Sequence, residues 1–175
     1  GFAGKAEREA ASVLSNAQRH THFLDSPRIA KCMARSDFHF SDLRHRITSV
    51  FLVLPPNRLD AYSRWLRLLV SQALQDIARD AERPLGPQIA AQPPVERLKA
   101  PALFLLDEFA ALGRLEAVER AMGLMAGYGL QLWPILQDMS QLRDLYGQRA
   151  STFVANAGVQ QVFGVNDFET IFFLF

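Results

Sequence analysis

Apolar positions recur along this chain in two rhythms. From Lys5 to about Arg35, Ala, Val and Leu fall at helical spacing between charges, as in "KAEREAASVLSNAQRH", and this predicts helix. Ser26 reads as an N-cap with Pro27 at the first helical position of "SPRIAKCMAR". "SDFHFSDL" is a short turn-rich connection. The run "ITSVFLVLP", Ile47 to Pro55, is continuous and β-rich, the pattern of a strand buried on both faces. From Asn57 the three-and-four spacing returns in "RLDAYSRWLRLLVSQALQDIARDAE" and predicts a long amphipathic helix.

Arg83 to Ala100 hold four of the nine prolines and read as an exposed loop. A strand follows at Ala102–Leu106, then a helix in "RLEAVERAMGLMAGYG" stopped by glycines. "LQLWPILQ", Leu130 to Gln137, is a second buried strand. "DMSQLRDLYG" is a short helix with Asp138 near its start and Gly147 just past its end. "RASTFVANAG" adds a helical turn or two, "VQQVFGV" a strand, and "NDFETIFFLF" opens a final helix. Strands and helices alternate throughout, which predicts an α/β domain with a mostly parallel sheet.

Composition changes this picture little. The 175 residues suit about one domain, and 49% hydrophobic with 21% charged residues is ordinary for a globular chain. The net charge of +1 gives no overall nucleic-acid footprint, although basic residues can still gather on one face. A single cysteine, Cys32, excludes an internal disulfide. No apolar stretch approaches the ~20 residues that span a bilayer. The chain starts at Gly1 and ends in "TIFFLF", so both ends are expected to be cuts in a larger protein.

The chemistry concentrates in "PALFLLDEFAALGRL", Pro101 to Leu115. Five apolar strand residues end in two adjacent acids, Asp107 and Glu108. This is the Walker B pattern, in which the strand's carboxyl end presents one acid to Mg²⁺ and the next to the attacking water. Short apolar runs ending in acids are common, and alone the pattern also fits an ordinary strand-end turn. The neighbouring strand ends in Gln137, whose amide can both accept from water and donate to phosphate oxygen. Polar groups on two successive strand ends mark where open parallel sheets gather ligands. No GxxxxGK[ST] segment accompanies them. In "GFAGKA", Lys5 is followed by Ala6 and no strand leads in, so the stretch reads as a helix start. The chain therefore holds half of a nucleotide site.

Other residues have plainer readings. His20, His22, Cys32 and His39 fit no standard zinc spacing. Trp65 and Trp133 are expected in the core. "RHRI" with Arg58, Arg64 and Arg67 could touch nucleic-acid phosphates or line a solvated face.

The stretch from Phe104 to Gly158, with "ASVLSNAQRHTHFLDSPRIAKCMARSDFHFSDL", "VFLVLPPNRLDAYSRWLRLLVSQAL" and "QVFGVNDFET" around it, resembles the TraG/VirD4 group of type IV secretion coupling proteins. That resemblance implies a partial RecA-like P-loop nucleoside triphosphatase domain over residues 44–175, preceded by the helical tail of an all-α domain over 1–43. It implies ATP and Mg²⁺ as cofactors, with Asp107 as the Mg²⁺ ligand, Glu108 as the catalytic base and Gln137 as the phosphate sensor. It also implies a homo-hexamer at the cytoplasmic face of the bacterial inner membrane. Such a motor passes relaxase-bound single-stranded DNA, or effector proteins, to the type IV secretion channel proteins. Membrane helices and a P-loop would precede Gly1, and without them this chain is expected to be inactive alone and prone to aggregate at its open strand edges. The arginine that reaches into a neighbour's site is absent from "MAGYG"; Arg114, Arg120, Arg143 and Arg149 are weak candidates for it. "IFFLF" departs from the family pattern. Two alternatives stay open: an inactive remnant serving as a binding or assembly module, and another RecA-like DNA-translocating ATPase.

Overall fold

The computed structural model describes residues 2–82, 100–164 and 170–171, and all but the last residue of the proline-rich loop expected at 83–100 lies outside them. The chain divides into two compact units, 1–37 and 38–175.

In the first unit, α1 (Phe2–Thr21) is followed by a 3₁₀ turn, His22–Asp25, and by α2 (Pro27–Met33). Pro27 occupies the helix start as expected, but the Ser26 side chain makes no capping hydrogen bond. Ile29 is buried, whereas Val13 and Leu14 on α1 lie open. His22 pairs with Asp25 through Nδ1 at 2.8 Å.

The second unit is built around α3 (Leu59–Glu82). Its buried apolar residues, Trp65, Leu66, Val70, Ala73, Leu74 and Ile77, form one helical stripe. That stripe meets the 3₁₀ turns Phe40–Arg44 and Phe109–Leu112, and also α4 (Glu116–Leu124). The sheet contains β1 (Ala102–Leu106) and β2 (Leu130–Pro134), paired in parallel with Leu103 opposite Gln131 and Leu105 opposite Trp133. Beyond the paired residues, Ile135 N–H donates to Leu106 O and Phe109 N–H to Ile135 O, each at 3.0 Å. Then come α5 (Met139–Tyr146), a 3₁₀ turn at Gly147–Arg149 and α6 (Ala150–Ala155). The architecture is a partial α/β fold.

Three strand expectations need correction. Ile47–Pro55 forms no strand. A strand requires a neighbour to pair its N–H and C=O groups, and among the described residues nothing pairs with this run. Phe51 is 83% exposed there. Val159–Phe163, expected as a strand, is likewise unpaired and open. Finally, among the described residues the sheet is covered on one face only. Ala102, Leu106 and Leu130 are buried, while Leu103 and Leu105 on the other face are 54% and 55% exposed. Trp133 shares that open face at 47% exposure, so it is no core residue; Trp65 is buried.

Two members of the basic cluster, Arg44 and Arg67, hold backbone carbonyls. Arg44 is buried and its Nη1 donates to Ala100 O at 2.9 Å. Its guanidinium lies over Gly129, whose φ of +71° and missing Cβ allow that approach; a Cβ there would fall 2.4 Å from Arg44 Cζ. Arg67 donates to Leu112 O at 3.2 Å and Arg114 O at 2.9 Å, pinning the loop after the Phe109–Leu112 turn.

Candidate functional site at the strand ends

β1 ends at Leu106, and Asp107 and Glu108 follow at once, both exposed. Glu108 turns the chain. Its φ of 48° and ψ of 45° place it in the left-handed region, which non-glycine residues adopt at a cost of about 1–2 kcal/mol. Local bonds hold it there. Asp107 Oδ1 accepts from Glu108 N–H at 3.1 Å, and Glu108 O accepts from Ala111 N–H at 2.9 Å.

The next residue, Phe109, is the anchor. It is fully buried and stacks nearly parallel to Tyr146 at 6.1 Å between ring centroids, with Phe153 at 6.0 Å. Tyr146 and Phe153 lie 4.5 Å apart. The Tyr146 hydroxyl accepts from Leu115 N–H at 3.1 Å, and burial pushes its ionisation above the ordinary phenol range. One aromatic cluster thus joins the acid-bearing turn to α5 and α6.

Gln137 stands just beyond β2, and the structure brings it to Glu108: its Nε2 donates to Glu108 Oε2 at 3.3 Å. Asp107 makes no contact with Gln137 among the bonds described. After Gln137, Asp138 caps α5 by accepting from Gln141 N–H at 2.9 Å, and Ser140 Oγ donates to the same carboxylate oxygen. These two donors hold the Asp138 carboxyl below the usual carboxylate range. Met139 N–H donates to Thr170 Oγ1 at 3.2 Å. Arg114 and Arg149 both lie against Glu119, which lends them a local structural role.

The chemistry of the donors fits a sparsely held Mg²⁺. This ion commonly takes one or two carboxylates and completes its octahedron with water and phosphate oxygens. Asp107 offers one such exposed carboxylate, and no group of three or more His, Cys, Asp or Glu able to hold a metal occurs among the described residues.

The sequence did not single out Phe109 or Gln141, and it offered Arg44 as a phosphate contact or solvated charge rather than as a buried residue. For Gln141 a signal existed: an Asp followed three residues later by Gln is the spacing of a helix-capping box. Nothing in the sequence pairs Arg44 with a glycine far along the chain.

Fold and site together define a partial α/β domain with polar groups gathered at the carboxyl ends of adjacent parallel strands, the place where open α/β sheets bind ligands. The family model for type IV secretory system conjugative DNA transfer matches residues 1–174, and the chain belongs to that family. The Escherichia coli conjugal transfer protein TraG is 32% identical over 171 residues, covering 95% of this chain and 26% of the relative. VirD4 of Agrobacterium fabrum (strain C58 / ATCC 33970) is 34% identical over 145 residues, 82% of this chain and 20% of the relative. A probable conjugal transfer protein TraG of Sinorhizobium fredii (strain NBRC 101917 / NGR234) is 31% identical over 163 residues, 91% and 23%. The chain thus spans 20–26% of the length of these relatives. No helix among the described residues is long and apolar enough to cross a membrane.

Proposed function

We propose that Asp107, Glu108 and Gln137 are the magnesium- and water-handling half of an ATP site in a RecA-like motor that delivers DNA to a type IV secretion channel. The observation that carries this reading is the Gln137–Glu108 hydrogen bond, which joins the ends of two adjacent parallel strands at 3.3 Å. Asp107 would hold the ion, which when bound would neutralise charge on the transferred phosphoryl group. Glu108 would orient and deprotonate the attacking water. Gln137 would report on the γ-phosphate, since its amide can exchange Glu108 for phosphate oxygen as acceptor. The phosphate cradle would come from residues outside these 175, because no GxxxxGK[ST] occurs in them. Family membership supports single-stranded DNA with its relaxase, and the channel proteins, as partners, with a homo-hexamer at the inner membrane as the working form. A division into two units suits the proposed helical tail (1–43) and nucleotide domain (44–175), but it falls between Asp37 and Phe38 and so puts the Phe40–Arg44 turn with the second unit.

The test splices this chain into the matching quarter of the E. coli TraG relative and follows Mg²⁺-dependent ATP hydrolysis. Glu108→Gln is expected to slow hydrolysis by roughly a hundredfold or more, the usual worth of a general base, with nucleotide binding retained. An unchanged rate sinks the assignment. Hydrolysis by the 175-residue chain alone that disappears in Glu108→Gln would instead show that the site is complete without a cradle.

A further inference from the structure

Gln137 is held from two sides. While its Nε2 faces Glu108, its backbone N–H donates to Gln141 Oε1 at 3.1 Å, and its Oε1 accepts from Gln141 Nε2 over a longer 3.5 Å. We propose that Gln141 is a positioning residue that fixes which way the Gln137 amide faces, presenting its NH₂ rather than its carbonyl oxygen to Glu108. The importance of that orientation rests on the catalytic reading of Glu108 and Gln137 above.

The shape of the Gln137 amide does not set the way it faces. Its oxygen and nitrogen ends are nearly equal in size, so only hydrogen-bond partners select the orientation. With Gln141 Nε2 donating, Gln137 Oε1 is committed to one side and Nε2 to the other. Gln141 is itself well placed to do this. It is the third residue of α5, and its backbone N–H is tied to Asp138 Oδ1. In an ordinary capping box the glutamine at this position reaches back to the N-cap N–H. Here it reaches one residue further, to Gln137 N–H, and so engages the strand-end residue instead of the cap. The chain Glu108–Gln137–Gln141–Asp138 then couples the turn after β1 to the first turn of α5.

A residue that merely caps the helix needs only an acceptor, and glutamate supplies one. Gln141→Glu therefore keeps the bond to Gln137 N–H but removes the donor to Gln137 Oε1; Gln141→Leu removes both. The experiment records the Gln137 side-chain NH₂ signals of the 175-residue chain by NMR, assigned through their loss in Gln137→Leu. In the parent chain, Glu108→Gln should shift these signals, because it removes a charged acceptor. In the Gln141→Glu and Gln141→Leu backgrounds that response should vanish, with α5 backbone signals retained in Gln141→Glu. Persistence of the response in Gln141→Glu overturns the positioning role, and if Gln141→Leu melts α5 the glutamate variant still decides. The readout contains no catalysis. Loss of the response in the Gln141 variants, together with unchanged hydrolysis in the spliced Glu108→Gln protein, leaves the positioning in place while the catalytic reading falls.

Discussion

Two apolar runs of similar make-up meet different fates in this molecule. "ALFLL" becomes β1, pairs with β2, and delivers Asp107 and Glu108 to a fixed turn. "ITSVFLVLP" is at least as β-rich, yet it pairs with nothing described and leaves Ile47, Phe51 and Val53 open to solvent. Side-chain preference is therefore not what separates them. β1 has a ladder on one edge and an anchor immediately after it: Phe109 buried against Tyr146 and Phe153. The exposed run has neither. A strand is made by its partners, and the turn that carries Asp107 and Glu108 is anchored by the packing of Phe109 against Tyr146 and Phe153.

The sharpest way to break the comparison is to remove that anchor. Phe109→Ala empties a fully buried position and should cost about 3–5 kcal/mol, read as a fall in the denaturation midpoint. The Glu108–Gln137 contact should be lost with it. Gly129→Ala comes next. Its Cβ would collide with the buried Arg44 guanidinium, and the glycine's positive φ adds strain. A loss of about 2–3 kcal/mol is expected, in the range of overpacked cores. Recovery in a double variant that also carries Arg44→Ala would assign the loss to that collision. A Gly129→Ala chain as stable as the parent would show that the two do not meet.

How much of this was legible in the sequence follows the same division. The helical stripe of α3, β1, β2 (which stops at Pro134, short of the expected Gln137) and the short α5 with Asp138 at its cap could be read directly, because each is set by local spacing and capping chemistry. Asp107, Glu108 and Gln137 could be named from their positions at strand ends, and the structure brings Glu108 and Gln137 together. What could not be read depends on distant partners. The fate of Ile47–Pro55 turns on whether a neighbouring strand exists. Trp133 looked buried because β2 was expected to be covered on both faces, and its open face is a property of the sheet as a whole. Arg44 looked like solvated charge because its burial is decided by Gly129, 85 positions later.

The turn itself gives a smaller effect of opposite sign. Glu108 sits in the left-handed region, where glycine pays no Cβ penalty. Glu108→Gly should stabilise the unit by about 0.5–1 kcal/mol, the relief of backbone strain less the added freedom of the unfolded chain. Glu108→Gln keeps the strain and should leave stability within about 0.5 kcal/mol. A gain for glycine but not for glutamine would show that the acid is held there at the expense of stability, as strained functional residues are. No gain for glycine would mean that the bonds from Glu108 N–H to Asp107 and from Ala111 N–H to Glu108 O already offset the strain.

The smallest effect is expected in the exposed run, and it is the other half of the comparison. Phe51 is as large as Phe109 but mostly in water, so Phe51→Ser removes little buried area and should change stability by no more than about 0.5 kcal/mol. What should change is self-association, because an unpaired β-rich run with exposed Ile47, Phe51 and Val53 is a template for pairing with another chain. Light scattering against concentration should show less association for Phe51→Ser than for the parent at equal stability. A loss of several kcal/mol at Phe51 would mean that this run packs in solution much as β1 does, and the contrast between the two runs would then be one of sequence rather than of partners.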